Sequence, residues 1–451
     1  MIFKEKRFVV LGAGVSGISA AKTLRELGAR VTLSDKKRPD ILTPAMSALK
    51  ETGVVLALGQ QDETLLQDID YLVLSPGVSV YNPLVQAAQA RGISVVSEIE
   101  VAYQLCRAPM IAITGTNGKT TTTTLVGEML QQAGRQVVVG GNIGLALSQE
   151  VKAVDESGIV VAEISSFQLE AVDQFKPHIA AVLNITPDHI DRHGSMETYI
   201  AMKERVFSRQ MPEDYAVLNY DDGIVRSMAE RTASQVMFFS RQVELPEGVF
   251  VKNENLTIRW RGAEHEVCSL NELKIRGNHN VENALAACGI SYLAGLKTAV
   301  MAAVLKAFPG VEHRIEPVGT INGVEYYNDS KATNPESAMK ALEAFAGHII
   351  LIAGGRDKKT DLAPFMHLIQ EKVDTLILLG EAKERFREAA KKQGIGDIRE
   401  SATMAEALET AHSIARAPQV VLLSPACASY DMFRNYEERG RVFKELIRGL
   451  S

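Results

Sequence analysis

The sequence predicts a three-domain α/β protein, and three observations carry that reading. Apolar runs of strand length alternate with amphipathic segments of helix length along the whole chain, each run ends in a glycine-rich or polar loop, and the alternation restarts twice. A length of 451 residues also exceeds one ordinary core and suits about three domains.

The first domain is expected over residues 1–107. It opens with a strand at Phe8–Leu11, a helix over Ile18–Leu27 and a second strand at Ala29–Ser34, and the runs YLVLSPGV and ISVVSEIE repeat the strand-then-loop theme. Between the first strand and the helix lies Gly12-Ala13-Gly14-Val15-Ser16-Gly17, and Asp35 ends the next strand. This order is Rossmann-like. Its glycines permit a tight turn and let a diphosphate approach N–H groups at the helix start. The motif in context specifies a diphosphate rather than a nicotinamide, because no acid–base pair for hydride transfer stands nearby and Asp35 runs into Lys36 and Lys37. A tight turn with no ligand is the bland alternative.

The second domain, expected over 108–311, restarts with the strand MIAIT and the loop Gly115-Thr116-Asn117-Gly118-Lys119-Thr120-Thr121. The loop is shorter than the usual Walker pattern, since Ile113 stands where the first glycine would fall. It still follows a buried strand and opens a Thr-rich helix, which makes the domain P-loop ATPase-like. Backbone donors there can cradle phosphates, Lys119 can reach the terminal ones, and Thr120 can ligate magnesium. Glu163, ending GIVVAE, is placed to hold the same ion, the alternative being a solvated edge-strand glutamate. Asn184, Asp188, His189, Asp191 and His193 crowd the loop NITPDHIDRH. Such a cluster suits a solvated loop, a zinc site or a hard-metal role for one histidine; without cysteine or HExxH spacing the last is favoured.

The third domain, expected over 312–451, holds HIILIAGGRDKKTD, TLILLGEAKERFREAA and VVLLSPACASYDMF, again strands running into loops, and is expected to be Rossmann-like. A net charge of −6 argues against a general nucleic-acid binder, and no apolar stretch is long enough to span a membrane. Four scattered cysteines without CxxC spacing read as reduced thiols, and the N-terminus runs into a strand without a signal-peptide pattern. A cytoplasmic protein is expected, and a monomer.

Taken together, GTNGKT, EISSFQL, NITPDHIDRH, MKERVF, GNHNVENALAA, EHR, NDSKATN and SPACASYDMFRNYEERG resemble the Mur ligase family along essentially the whole chain. The N-terminal glycine loop, LSPGV and the SPACAS ending are most similar to its D-glutamate-adding members. The resemblance implies ATP-dependent amide formation through an acyl phosphate, with UDP-N-acetylmuramoyl-L-alanine and D-glutamate as substrates and no NAD. It implies that the first loop cradles the UDP diphosphate, with Val15, Ser16, Asp35, Lys36 and Gly77 at that end and Asn142 and His189 toward the muramoyl-alanyl arm. ATP contacts follow for Gly115 to Thr121, Asn283, Arg314, Asp329 and Lys331. Two magnesium ions are implied, one on Thr120 and Glu163, the other on His189 and a carbamylated Lys203. Sequence alone reads Lys203 as a solvated helix residue.

For the amino acid, Thr333, Lys358, Ser429 and Tyr436 are implied, with Lys359 an adjacent competitor. Where the family often has DTR after the second strand, this chain has DKK, which leaves the uracil-side contacts open. Three rival readings make different demands. An NAD-dependent oxidoreductase would need only the first loop, a P-loop switch would hydrolyse ATP without an amino acid, and a folylpolyglutamate-type ligase would lack the UDP-directed domain.

Overall fold

The computed structural model describes residues 3–37, 49, 52–59, 61–144, 146–275, 277–357 and 360–450, without the Asp191 side chain. Lys358 and Lys359 lie outside the described residues.

Three sheets form the scaffold. The first contains β1 (Arg7–Leu11), β2 (Arg30–Asp35), β3 (Val55–Leu58), β4 (Tyr71–Leu74) and β5 (Ser94–Ser97), all parallel, in the order β3-β2-β1-β4-β5. Side chains alternate across a strand, so Phe8 and Val10 join the core on one face while Val9 and Leu11 join that on the other. The strand order reverses at β1, and the loops after β1 and β4 flank the crevice such a switch point creates. Gly12 turns there at φ +94, while a Cβ on Gly17 would lie 1.9 Å from the Gly12 carbonyl. The first glycine supplies the turn and the third lets the helix Val15–Glu26 sit against it.

The second sheet comprises β6 (Met110–Thr114), β7 (Val137–Gly141), β8 (Ile159–Glu163), β9 (Ile179–Val182), β10 (Tyr215–Asn219), β11 (Gln235–Ser240), β12 (Gly248–Lys252), β13 (Asn255–Trp260) and β14 (Ala263–Ser269). Its order is β14-β13-β12-β11-β10-β9-β6-β8-β7, parallel except for the antiparallel β12–β13–β14 extension. Because β8 pairs with both β6 and β7, Glu163 is on an interior strand. The alternative of a solvated edge-strand glutamate does not hold: the side chain is buried.

The third sheet contains β15 (Glu316–Ile321), β16 (Val324–Asn328), β17 (Ile349–Gly354), β18 (Val373–Leu379), β19 (Ile398–Glu400) and β20 (Val420–Leu423), in the order β15-β16-β20-β17-β18-β19. It is parallel apart from β15, which pairs antiparallel with β16 in a hairpin the sequence reading passed over. Ile349, Leu351 and Ala353 face one core and Ile350 and Ile352 the other, so β17 is covered on both faces.

No strand crosses 107/108 or 311/312. Contacts nevertheless divide the chain into two compact units, Met1–Glu272 with Glu282–Lys306, and Leu273–Val281 with Ala307–Ser451. The first two sheets lie in the first unit and the third sheet in the second.

Candidate active site

In the first unit the loop after β6 is centred between the ends of β8 and β9. Gly118 adopts φ +84, and a Cβ there would lie 2.2 Å from Asn283 Oδ1, so this turn requires glycine and seats Asn283 against the loop. The loop is stitched to the segment after β9. Thr116 N donates to Asn184 O (2.9 Å), Asn117 N to Asn184 Oδ1 (2.8 Å), and Asn184 Nδ2 returns a bond to Asn117 O (3.0 Å). Thr116 Oγ1 lies 3.0 Å from both Thr186 N and Tyr199 Oη. Sequence reasoning had placed Asn184 in a polar cluster without giving it this work. The signal was available in its position directly beyond the strand that neighbours the loop.

Two lysines converge on one carbonyl. Lys119 Nζ donates to Gly115 O and Thr116 O, each at 2.8 Å, and Lys203 Nζ donates to the same Gly115 O at 2.9 Å. Lys203 is buried against the Tyr199 ring and is not the solvated residue the sequence alone suggested. Its helix, Met196–Glu204, buries Tyr199 and, at its last turn, Lys203. Burial, and then the Lys119 charge, hold its amine well below the usual lysine value, while Asp188 and Glu163 pull the other way.

Glu163 Oε1 accepts from Asn142 Nδ2 at 2.8 Å, and its Oε2 is buried without a hydrogen-bond partner. An orphaned carboxylate oxygen beside a phosphate-type loop fits a hard divalent cation, with Thr120 in the first turn of the helix Lys119–Gln132. His189 begins a short helix at φ 55. Its ring lies 4.7 Å from that of Phe167, and Nε2 lies 3.5 Å from Asp188 Oδ2. His193 turns inward instead, with Nε2 3.0 Å from Ser166 Oγ. Among the described residues no three ligands of the 184–193 loop converge as a zinc set would; the triplet that does is Glu312, His313 and Glu316, in the other unit.

At the first sheet's switch point a cavity of about 770 Å³ is lined by Val15, Ser16, Asp35, Lys36 and Gly77, among others. Asp35 Oδ2 accepts from Ala13 N at 2.8 Å, so the carboxylate braces the glycine loop itself. Asn142 and His189 do not line this cavity. Asn142 is tied to Glu163 through its side chain and through its backbone N–H.

In the second unit, Asp329 is buried at the end of β16. Its Oδ2 accepts from Ser424 Oγ (2.7 Å), Oδ1 accepts from Ile315 N (3.2 Å), and Arg314 Nη1 lies 3.9 Å away. Burial pushes this carboxyl up to about 6, against the pull of Arg314. Lys331 Nζ sits 5.5 Å from the centroid of the Tyr436 ring. Ser429 is buried beyond β20, one residue after Ala428, which pairs with Arg356 in the loop leading toward position 358. Thr333 is half-buried just before the helix Pro335–Glu343. The unit therefore gathers Arg314, Asp329, Lys331, Thr333, Ser429 and Tyr436 at the carboxyl ends of its parallel strands, where open α/β sheets hold ligands. Sequence reasoning missed Arg439, a buried guanidinium donating to Ser330 Oγ and O and to Cys427 O. Its place in an exposed-looking helix, YEERG, concealed it.

A phosphate-type loop with a buried carboxylate and two lysines, a large cavity at the glycine loop of a doubly wound sheet, and a third α/β sheet with its own cluster define a P-loop enzyme that handles nucleotides. Family models agree along the chain: the Mur ligase MurD-like N-terminal domain matches residues 6–97, the Mur ligase middle domain 113–291, and the Mur ligase glutamate ligase domain 313–427. The chain belongs to the Mur ligase family. It is 47% identical over 451 residues to the UDP-N-acetylmuramoylalanine--D-glutamate ligase of Desulfitobacterium hafniense strain DCB-2, covering 99% of this chain and 98% of that one. To the ligase of the same name from Thermoanaerobacter sp. strain X514 it is 44% identical over 449 residues, 99% of each chain. Among solved structures, the UDP-N-acetylmuramate-alanine ligase MurC of Thermotoga maritima aligns at a TM-score of 0.60 with 19% identity, over 99% of this chain and all of that one. MurF from Acinetobacter baumannii aligns at 0.62 with 17% identity, over 98% and 91%. These last two establish the shared three-domain fold. No helix among the described residues is long and apolar enough to cross a membrane.

Proposed function

We infer that this chain is an ATP-dependent ligase that joins D-glutamate to UDP-N-acetylmuramoyl-L-alanine in peptidoglycan precursor synthesis. The observation that carries this is the 44–47% identity, over 99% of the chain, to ligases of that name. The reaction transfers the γ-phosphoryl group of ATP to the alanyl carboxylate, and the amine of D-glutamate then displaces phosphate to form the amide. The first transfer crowds several anions together, so cations must offset their repulsion.

Gly115 to Thr121 would hold the phosphates, with Lys119 against the terminal ones and Asn283 beside the loop. Thr120 and Glu163 would hold one magnesium, and His189 and Lys203 a second. Magnesium there supplies charge neutralisation and orientation of the phosphoryl oxygens. An ammonium cannot ligate a metal, but a neutral amine can attack CO2 and, releasing one N–H proton to solvent, become an anionic carbamate. Lys203 is suited to that step: it is buried, it donates to the Gly115 carbonyl, and burial and the Lys119 charge weaken its hold on a proton. Val15, Ser16, Asp35, Lys36 and Gly77 would take the UDP end, with Asn142 and His189 toward the alanyl carboxylate. Arg314, Asp329 and Lys331 would complete the nucleotide site, and Thr333, Lys358, Ser429 and Tyr436 would receive D-glutamate. The domain limits proposed for these roles are 1–107, 108–311 and 312–451, in a cytoplasmic monomer.

Phosphate release with UDP-N-acetylmuramoyl-L-alanine and a panel of D-glutamate, L-glutamate, L-alanine and diamino acids tests the assignment. Release is expected only with both substrates present and fastest with D-glutamate. A diamino acid or L-alanine outperforming it would overturn the specificity, and ATP turnover with neither substrate would overturn the ligase reading. Within that assay Lys358→Ala should raise the D-glutamate KM about ten- to a hundredfold, the worth of one charge-assisted hydrogen bond, leaving the other two KM values unchanged. An unchanged D-glutamate KM would move the role to Lys359.

A further inference from the structure

Arg192 lies in the short helix that begins after His189, with its side chain 13% exposed. Nε and Nη2 bond the two oxygens of Glu170, at 2.8 and 2.7 Å, and only 2% of that glutamate side chain is exposed. The guanidinium also reaches out of the central domain. Nη1 donates to Pro76 O at 2.7 Å and Nη2 to Val78 O at 3.1 Å. Pro76 and Val78 bracket Gly77, and all three line the 770 Å³ cavity. The guanidinium carbon stands 4.0 Å from the centroid of the Phe167 ring, the ring that packs against His189.

A planar fork of five donors suits this arrangement as no other side chain does. Two donors lock onto a buried carboxylate, which fixes the plane, and the rest of the fork is then aimed at two carbonyls of another domain. Bonds to backbone carbonyls carry no side-chain specificity; they fix where a loop lies. An exposed ion pair would do this poorly, being screened and mobile, but Glu170 is shielded from water and Arg192 nearly so.

We propose that Arg192, held by Glu170, is a positioning residue that fixes the loop Ser75–Ser79 for the UDP end of the substrate and links that loop, through Phe167, to the His189 ring. The proposal rests on the reading of the cavity as the UDP site. Lys152–Glu26, an exposed ion pair between the same two domains, supplies a comparison that touches neither the loop nor the cavity.

Arg192→Met keeps an apolar stem over Phe167 and removes every donor. It leaves Glu170 buried without its guanidinium, with His193 Nδ1 3.7 Å from Oε1, so Arg192→Met with Glu170→Met, which removes both side-chain charges of the pair, is measured beside it. On the full chain, calorimetry would give the Kd of UDP-N-acetylmuramoyl-L-alanine and, separately, of a non-hydrolysable ATP analogue, and hydrogen exchange would follow the amides of Ser75, Gly77, Val78 and Ser79. Both variants should bind the UDP compound about tenfold more weakly, bind the ATP analogue as the wild type does, and exchange the loop amides faster. Lys152→Ala should change none of these. Should the single variant fail to fold, the double variant decides. Wild-type affinity and wild-type exchange in a folded variant would overturn the proposal. Failure of the wild-type chain itself to bind the UDP compound would instead overturn the reading of the cavity, and the exchange rates would still report on the strut.

Discussion

Lys119→Ala is expected to abolish ligation to within about a thousandth of the wild-type rate while leaving the fold intact, because one charge is lost where phosphoryl transfer concentrates several negative ones. The fold should survive for a reason visible in the loop. Its shape is set by Asn184 through Thr116 and Asn117, and by the left-handed turn at Gly118, none of which involves the lysine. Lys119 Nζ itself rests on the carbonyls of Gly115 and Thr116; without it the Gly115 carbonyl still accepts from Lys203. Product formation and thermal unfolding, measured on the same preparation, separate the two effects. Near-wild-type turnover would remove the ATP role from this loop.

The second large effect concerns Lys203. If a carbamate on this side chain holds a magnesium ion, Lys203→Ala should lose about a hundred- to a thousandfold in activity, since a metal ligand and its charge go together. Acetate or formate should restore part of it by filling the buried space with an anion. Lys203→Arg should stay inactive, although it preserves a positive charge. The opposite pattern, an active arginine variant and no rescue by carboxylates, would mean that the residue works as a cation. Carbon-13 NMR of enzyme equilibrated with labelled bicarbonate offers a direct reading, in which a carbamate resonance should appear in the wild type and vanish in the variant.

The contrast between these two lysines shows where the sequence was legible. Lys119 announces itself, because glycine and threonine flank it and a buried strand precedes it, so local spacing is enough. Lys203 sits in a helix with no apolar face to speak of, and only tertiary packing, beside Tyr199 and Lys119, makes it a buried, weakened base. Likewise Glu163 could be named from its place at a strand end, but not its burial, which depends on β8 inserting between β6 and β7. The parallel sheets followed from apolar runs ending in loops. The β15–β16 hairpin escaped because its outer strand alternates weakly, with exposed glycine and threonine in place of a clear apolar stripe. Arg192 and Arg439 escaped for a common reason: a buried guanidinium is satisfied by carbonyls and carboxylates distant in sequence, and nothing in the local pattern marks it.

The division into two units has a consequence for how this polypeptide can be taken apart. The boundary at Val281/Glu282 falls inside the helix Asn278–Leu293, so residues of one helix are divided between the units, His279 counted with the C-terminal unit and Asn283, beside the loop after β6, with the first. The C-terminal unit is therefore not continuous in sequence. Cleavage at 311/312, between the sheets, would leave residues 273–281 and 307–311 on the other piece, and a fragment starting at 312 would lack both segments. Gene fusions, split-protein reporters and exchanges of the amino-acid domain between relatives would each have to carry a helical turn across the splice. A swap that respects only linear domain limits should yield two pieces that are each incomplete.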